Sequence, residues 1–212
     1  MRLVGLLGGT FNPIHNGHLR LAQELADGLQ LSEVRFIPAA IPPHKAEPEV
    51  SAQQRAEMIK LAIEDNPLFK LDTRELERNG ASYTIDTLTS LHKELSDSAI
   101  CLIMGSDAFL KLDTWHRWKE LIKFCHIILV QRPNYQHQGL NQTLQNFMQD
   151  HYTENLAHLR EARSGYITMQ QIPALDISSS QIREMVQHHR NPAYLCPKAV
   201  ASYIQNNRLY SV

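Results

Sequence analysis

Apolar residues along the chain come in short continuous runs that alternate with stretches of helical spacing. Leu3 to Leu7 is an apolar run of strand length. Past it, Leu19, Leu21, Ala22, Leu25 and Ala26 recur at the three- and four-residue steps of an amphipathic helix. Val34 to Pro38 predicts a second strand closed by proline. Three prolines between Ala39 and Pro48 exclude regular structure there. Ser51, with Gln54 three residues on, has the form of a capping box for a helix carrying Met58, Ile59, Leu61, Ala62 and Ile63 and ending before Pro67. Phe69 to Leu71 predicts a short strand, and Ser82 an N-cap for a helix with Ile85, Leu88 and Leu91 turned inward.

The second half continues the alternation. Ala99 to Met104 is an apolar run ending in Gly105, as expected of a central strand covered on both faces. A helical pattern covers Trp115 to Phe124, and His126 to Val130 predicts another buried strand. Residues Pro133 to His151 are polar and read as a surface excursion, followed by a late strand at Tyr166 to Met169. Helices are predicted to start around Ile177 to Arg183 and at Pro197. Strands alternating with helices imply an α/β fold, a doubly wound parallel sheet with helices on both faces. A single domain over residues 1–212 is expected, its 177–212 part helical.

Composition narrows the setting. Hydrophobic residues are 43% and charged residues 20% of the 212, ordinary for a globular chain, and the formal net charge is −1. That balance argues against a life on long nucleic acid. No apolar run is long enough to span a bilayer, and the N-terminus has no signal-peptide apolar core, so a cytoplasmic protein without a membrane partner is expected. Cys101, Cys125 and Cys196 form no Cys-x-x-Cys pair and read as buried, reduced thiols.

The chemistry concentrates in Gly8-Gly9-Thr10-Phe11-Asn12-Pro13-Ile14-His15-Asn16-Gly17-His18, which reads as strand, glycine turn, helix. Glycine lets a backbone approach a phosphate closely, and a helix N-terminus offers free N–H groups to an anion. His15 and His18, three apart, share a face if both are helical. No Gly-Lys-Ser/Thr occurs, which excludes a P-loop, and adjacent Gly8 and Gly9 do not fit the spaced glycines of a dinucleotide fingerprint. A zinc pair at His15 and His18 lacks a third ligand of recognisable spacing.

A second stretch, Ile177-Ser178-Ser179-Ser180-Gln181-Ile182-Arg183, gathers hydroxyls at a helix start, with Ser178 or Ser179 as cap and a guanidinium one turn in. It reads as an ordinary serine cap or as a triphosphate clamp.

The complete first string resembles the phosphate-binding signature of the nucleotidylyltransferase superfamily, and the second its late Ile-Ser-Ser-Ser/Thr-x-Ile-Arg motif. Between them stand Pro42-Pro43-His44-Lys45, Ser82-Tyr83-Thr84-Ile85-Asp86-Thr87-Leu88, Gly105-Ser106-Asp107 and Thr114-Trp115. In this order they resemble the bacterial nicotinate-nucleotide adenylyltransferase family over essentially the whole chain, except the polar stretch near 134–165.

The resemblance implies a Rossmann-like fold and transfer of the adenylyl group of ATP to nicotinate mononucleotide, with Mg²⁺ carried on the ATP phosphates and no metal site of the protein's own. It implies that Gly8, Gly9, Thr10 and Phe11 line the nucleotide site. His15 and His18 would meet the ATP phosphates, and Lys45 with His44 would reach in from the proline-rich loop. Thr84 and Trp115 would hold the pyridine nucleotide, and Gly105 and Asp107 the adenosine. Ile177, Ser179, Ser180 and Arg183 would bind the far end of ATP. Partners would be these small molecules, not nucleic acid, with monomer and homodimer both open. Bland alternatives stand beside several of these roles: Trp115 as core, Lys45 as a solvated lysine and Asp107 as an N-cap. One residue departs from the family pattern, Asn12 where Asp is usual. Asparagine keeps turn geometry and hydrogen bonding but drops the charge.

Overall fold

The computed structural model describes residues 1–41, 49–78, 80–131, 139–173 and 175–211. The elements in order are β1 (Arg2–Gly9), α1 (Asn16–Leu29), β2 (Glu33–Pro38), α2 (Ala52–Ile63), β3 (Phe69–Leu71), α3 (Thr84–Glu94), β4 (Ser98–Gly105) and α4 (Ser106–Phe109). A 3₁₀ turn (Leu112–Thr114) then precedes α5 (Trp118–Leu121), β5 (His126–Gln131), α6 (Gln142–His151), α7 (His158–Glu161), β6 (Ile167–Gln171), α8 (Ser179–Gln187) and α9 (Lys198–Asn206).

The six strands form one sheet in the order β3-β2-β1-β4-β5-β6, as expected of a doubly wound α/β fold. β1 runs parallel to β4 with Leu3 opposite Ala99 and Leu7 opposite Ile103. β5 and β6 continue in parallel, with Cys101 opposite His126 and Ile127 opposite Ile167.

The chain divides into two compact units that interleave in sequence. One comprises Met1–Leu7, Glu24–Val34 and Tyr83–Pro173, the other Gly8–Gln23, Arg35–Ser82 and Ala174–Val212. The core of the first is built on β4, every residue of which is buried from Ser98 to Met104. Leu3, Leu6, Leu25, Ile85, Leu88, Leu91, Ile127 and Ile128 fill in around it. Gly5 suits this packing: a Cβ there would stand 2.8 Å from Leu31 Cδ1 and 3.2 Å from Ile103 Cδ1, so a neighbouring side chain would have to shift. In the second unit α2 packs on α9. Phe11, Phe36 and Phe69 form a chain of aromatic contacts with centroids 6.0 and 5.2 Å apart.

Ser51 caps α2 in a complete capping box, as its spacing predicts. Four expectations need correction. Ser82 does not cap α3. Its Oγ accepts from Ala40 N at 3.0 Å, and Tyr83 becomes the N-cap with no side-chain bond. The helical pattern over Trp115 to Phe124 is broken because Arg117 is in the left-handed region at φ 53°, so only Trp118–Leu121 is helical. Trp115 is an extended residue closing the 3₁₀ turn.

The polar excursion contains a helix, α6. Asn141 caps it through Leu144 N, and Leu144 and Phe147 are its buried face. Two buried apolar residues three apart suffice to seat a helix whose other positions are mostly polar. Finally, Gly8 and Gly9 are the last residues of β1 rather than a turn. The left-handed residue of the following loop is Phe11, at φ 47°, and the Asn12–Pro13 peptide bond is cis.

Candidate active site

β1 delivers its C-terminal end to a loop, Thr10 to His15, that turns into α1. Gly8 is exposed and a Cβ added there would meet nothing within 4 Å, so the strand end offers an open backbone surface. Gly9 is closed instead, because a Cβ would stand 3.2 Å from the Phe11 ring. Phe11 is buried, and its strained φ persists because the ring is wedged against Phe36 and edge-on to His18 at 5.0 Å.

α1 begins at Asn16, so His15 precedes it rather than sharing its face with His18. The His15 carbonyl accepts from His18 N at 2.9 Å, starting the helix, and the two rings stack with centroids 3.7 Å apart. Gly17 makes room for this, since a Cβ would press within 3.0 Å of His15 Cε1 and Nδ1. His15 is 6% exposed, and burial lowers its pKa to about 4, so it is neutral near pH 7. Its Nδ1 is buried without a hydrogen-bond partner among the described residues.

The late serine motif comes to this loop. Ser178 caps α8 by accepting from Gln181 N at 3.1 Å. Ser179 Oγ donates to Pro13 O at 2.8 Å, and Arg183 Nη1 donates to Asn12 O at 2.8 Å. Arg183 Nη2 also donates to Ser180 Oγ at 3.2 Å. Ile177 is half-buried, its carbonyl 3.6 Å from where a Gly17 Cβ would be. Two motifs 166 residues apart therefore form one hydrogen-bonded cluster.

Two residues outside the motifs belong to this cluster. Arg55 on α2 is 1% exposed and donates through Nη1 to Thr10 O at 2.6 Å and through Nη2 to Ala39 O at 2.7 Å. Its only sequence signal is its place on the buried stripe with Met58 and Ile59. Tyr210 is buried, and its hydroxyl donates to Asn12 Oδ1 at 2.6 Å. Burial pushes the Tyr210 hydroxyl pKa upward against the pull of Arg183 and Arg55, which keeps it a protonated donor.

Gly105, Asp107, Thr84 and Trp115 lie in the first unit. Gly105 ends β4 and is itself the N-cap of α4, so Asp107 lies in the first turn of that helix, exposed, rather than at the cap. Thr84 opens α3 and Trp115 follows the 3₁₀ turn, both half-buried. The rings of their sequence neighbours Tyr83 and His116 are in contact, with centroids 4.5 Å apart. His44 and Lys45 lie outside the described residues. Among the described residues no group of three or more His, Cys, Asp or Glu could hold a metal ion, and no helix is long and apolar enough to cross a membrane.

Comparison with known proteins shows the family. The family model for cytidylyltransferase-like proteins matches residues 6–185. A probable nicotinate-nucleotide adenylyltransferase of Halorhodospira halophila is 44% identical over 204 residues, covering 94% of this chain and 91% of its own. One from Aeromonas salmonicida is 42% identical over 207 residues, covering 98% and 96%. In fold, the chain is similar to the solved structure of Plasmodium falciparum nicotinic acid mononucleotide adenylyltransferase complexed with NaAD. The TM-score there is 0.73 at 16% identity, covering 99% of this chain and 98% of that one. The chain belongs to the cytidylyltransferase-like family and, within it, to the nicotinate-nucleotide adenylyltransferases.

Proposed function

We propose that the chain transfers the adenylyl group of ATP to nicotinate mononucleotide, forming nicotinate adenine dinucleotide and pyrophosphate in NAD biosynthesis. Relatives 40% or more identical over nearly the full length carry that activity in their names. The observation that carries the reading in this molecule is the joining of the two phosphate motifs, with Ser179 and Arg183 fastened to the loop that ends in His15 and His18.

The substrate phosphate is a competent nucleophile near neutral pH, so the enzyme needs no nucleophile of its own. It attacks the α-phosphorus in line, one P–O bond forms as another breaks, and pyrophosphate leaves. What remains is to hold two anions and to neutralise the charge that develops on the α-phosphate and the leaving group. The exposed backbone at Gly8 admits the nucleotide. His15, neutral through burial, offers an N–H without requiring a buried cation, and His18 stacks beside it. Ser180 and the remaining donors of Arg183 suit the β- and γ-phosphates. Lys45 and His44 would approach from the proline-rich loop. Thr84 and Trp115 would hold the pyridine nucleotide, with Gly105 and Asp107 at the adenosine. Mg²⁺, when bound, would come on the triphosphate with most of its waters and shield its charge.

The test is pyrophosphate release from ATP and Mg²⁺, with nicotinate and nicotinamide mononucleotide run in parallel. Release with a clear preference for the acid is the expected outcome. Equal kcat/KM for the two would remove the acid preference, and release with neither would overturn the reading.

A further inference from the structure

The loop between Gly9 and His15 is held by side chains from three distant parts of the chain. Arg55 takes the carbonyl of Thr10, Arg183 that of Asn12 and Ser179 that of Pro13. A further tether reaches a side chain of the loop instead: Tyr210 Oη to Asn12 Oδ1, 2.6 Å across 198 residues of sequence. The contact has backbone strain on both sides, Phe11 at φ 47° and Tyr210 at φ 61°. Left-handed non-glycine residues persist where their surroundings over-determine them.

We propose that Tyr210 is a positioning residue for the adenylyl transfer proposed above, acting through Asn12: the buried hydroxyl grips the side-chain oxygen at position 12 and fixes the loop that places His15 and His18. The inference rests on that functional reading. It gives the departure at position 12 a physical meaning. A protonated phenol can donate to an amide oxygen as it can to a carboxylate oxygen, so at position 12 asparagine still supplies the acceptor that this contact needs. Arg55 and Arg183, beside this contact, are both bound to backbone carbonyls, so neither requires a carboxylate at Asn12. A group that sets the loop leading to two phosphate-facing imidazoles acts on the rate, because displacements of about 1 Å cost up to 10²-fold.

Four variants test this: Asn12→Ala, Asn12→Asp, Tyr210→Phe and the double Asn12→Ala/Tyr210→Phe. Pyrophosphate release gives kcat and KM, calorimetry gives the Kd for ATP, and the melting temperature confirms that each variant is folded. Asn12→Ala and Tyr210→Phe are each expected to lower kcat about tenfold, the worth of one well-placed hydrogen bond. The double should lose about the same tenfold, because both changes break one contact. Asn12→Asp should recover most of what Asn12→Ala loses. An unchanged kcat in Tyr210→Phe, a multiplied loss in the double, or Asn12→Asp as poor as Asn12→Ala would each overturn the proposal. If Tyr210→Phe does not fold, the contrast between Asn12→Ala and Asn12→Asp decides. If the parent protein releases no pyrophosphate with either mononucleotide, the functional reading has failed. The pair is then judged by ATP affinity, where equal Kd values for all folded variants overturn it.

Discussion

His15 shows how the burial of one residue ties stability to pH. Its ring is buried by stacking on His18 and by the space that Gly17 leaves, and burial alone lowers its pKa from 6.5 to about 4. The unfolded chain gains a proton on this side chain near pH 6.5, whereas the folded chain does not until about pH 4. Between those values the unfolded state holds more protons, so stability falls as pH drops through the window and is whole above it. The loss amounts to at most about 3 kcal/mol by pH 4. His126, buried in the first unit, is shifted the same way. The clean measurement is therefore the difference between parent and His15→Gln in urea unfolding at pH 7 and pH 4.5. The parent should lose more stability on acidification, and parallel losses would show that His15 is not the titrating group.

At the scale of elements, strands were legible because buried parallel strands are continuous apolar runs, and β1, β2, β4 and β5 are found where those runs are. Helices were legible where the apolar stripe was full, as in α2 with its capping box. Legibility failed where the deciding contact is tertiary. Ser82 has the chemistry of a cap, but Ala40 N claims its oxygen. α6 hid because only Leu144 and Phe147 mark its buried face. The motifs located the loop and α8, yet not Arg55 or Tyr210, since nothing local marks a residue that bonds to backbone carbonyls or to a side chain nearly two hundred positions away.

Arg55 carries a prediction of its own. It is buried in α2 and ties Thr10 O and Ala39 O, at the ends of β1 and β2, through a fork that no apolar side chain reproduces. Arg55→Met keeps much of the volume but leaves those carbonyls without their charged donor. Each hydrogen bond to a charged group is worth about 1.5–3 kcal/mol, so the variant should lose about 3 kcal/mol in urea unfolding. A loss below about 1 kcal/mol, the scale of an ordinary surface change, would mean that water replaces the guanidinium at little cost.

At the scale of the whole molecule, the chain passes repeatedly between its two compact units, and β1 and β2 each contribute residues to both. A chain so interleaved has no single linker at which it can be divided. We therefore expect it to unfold as one cooperative domain. The cysteines can report this. Cys101 and Cys125 lie in the first unit and Cys196 in the second, all buried. Burial raises the Cys101 pKa to about 12, that of Cys196 to about 11 and that of Cys125 as well, so thiolate is scarce in the folded protein. A disulfide reagent at pH 8 should label none of the three until the protein opens. In moderate urea, with reagent in excess so that reaction outpaces reclosing, labelling measures the opening rate of each site. One rate constant for all three thiols is the expected result. A separate, faster rate for Cys196 would mean that the unit carrying Gly8, His15, His18 and Arg183 opens by itself, and the proposed binding residues there would then rest on a less stable foundation than β4 and β5.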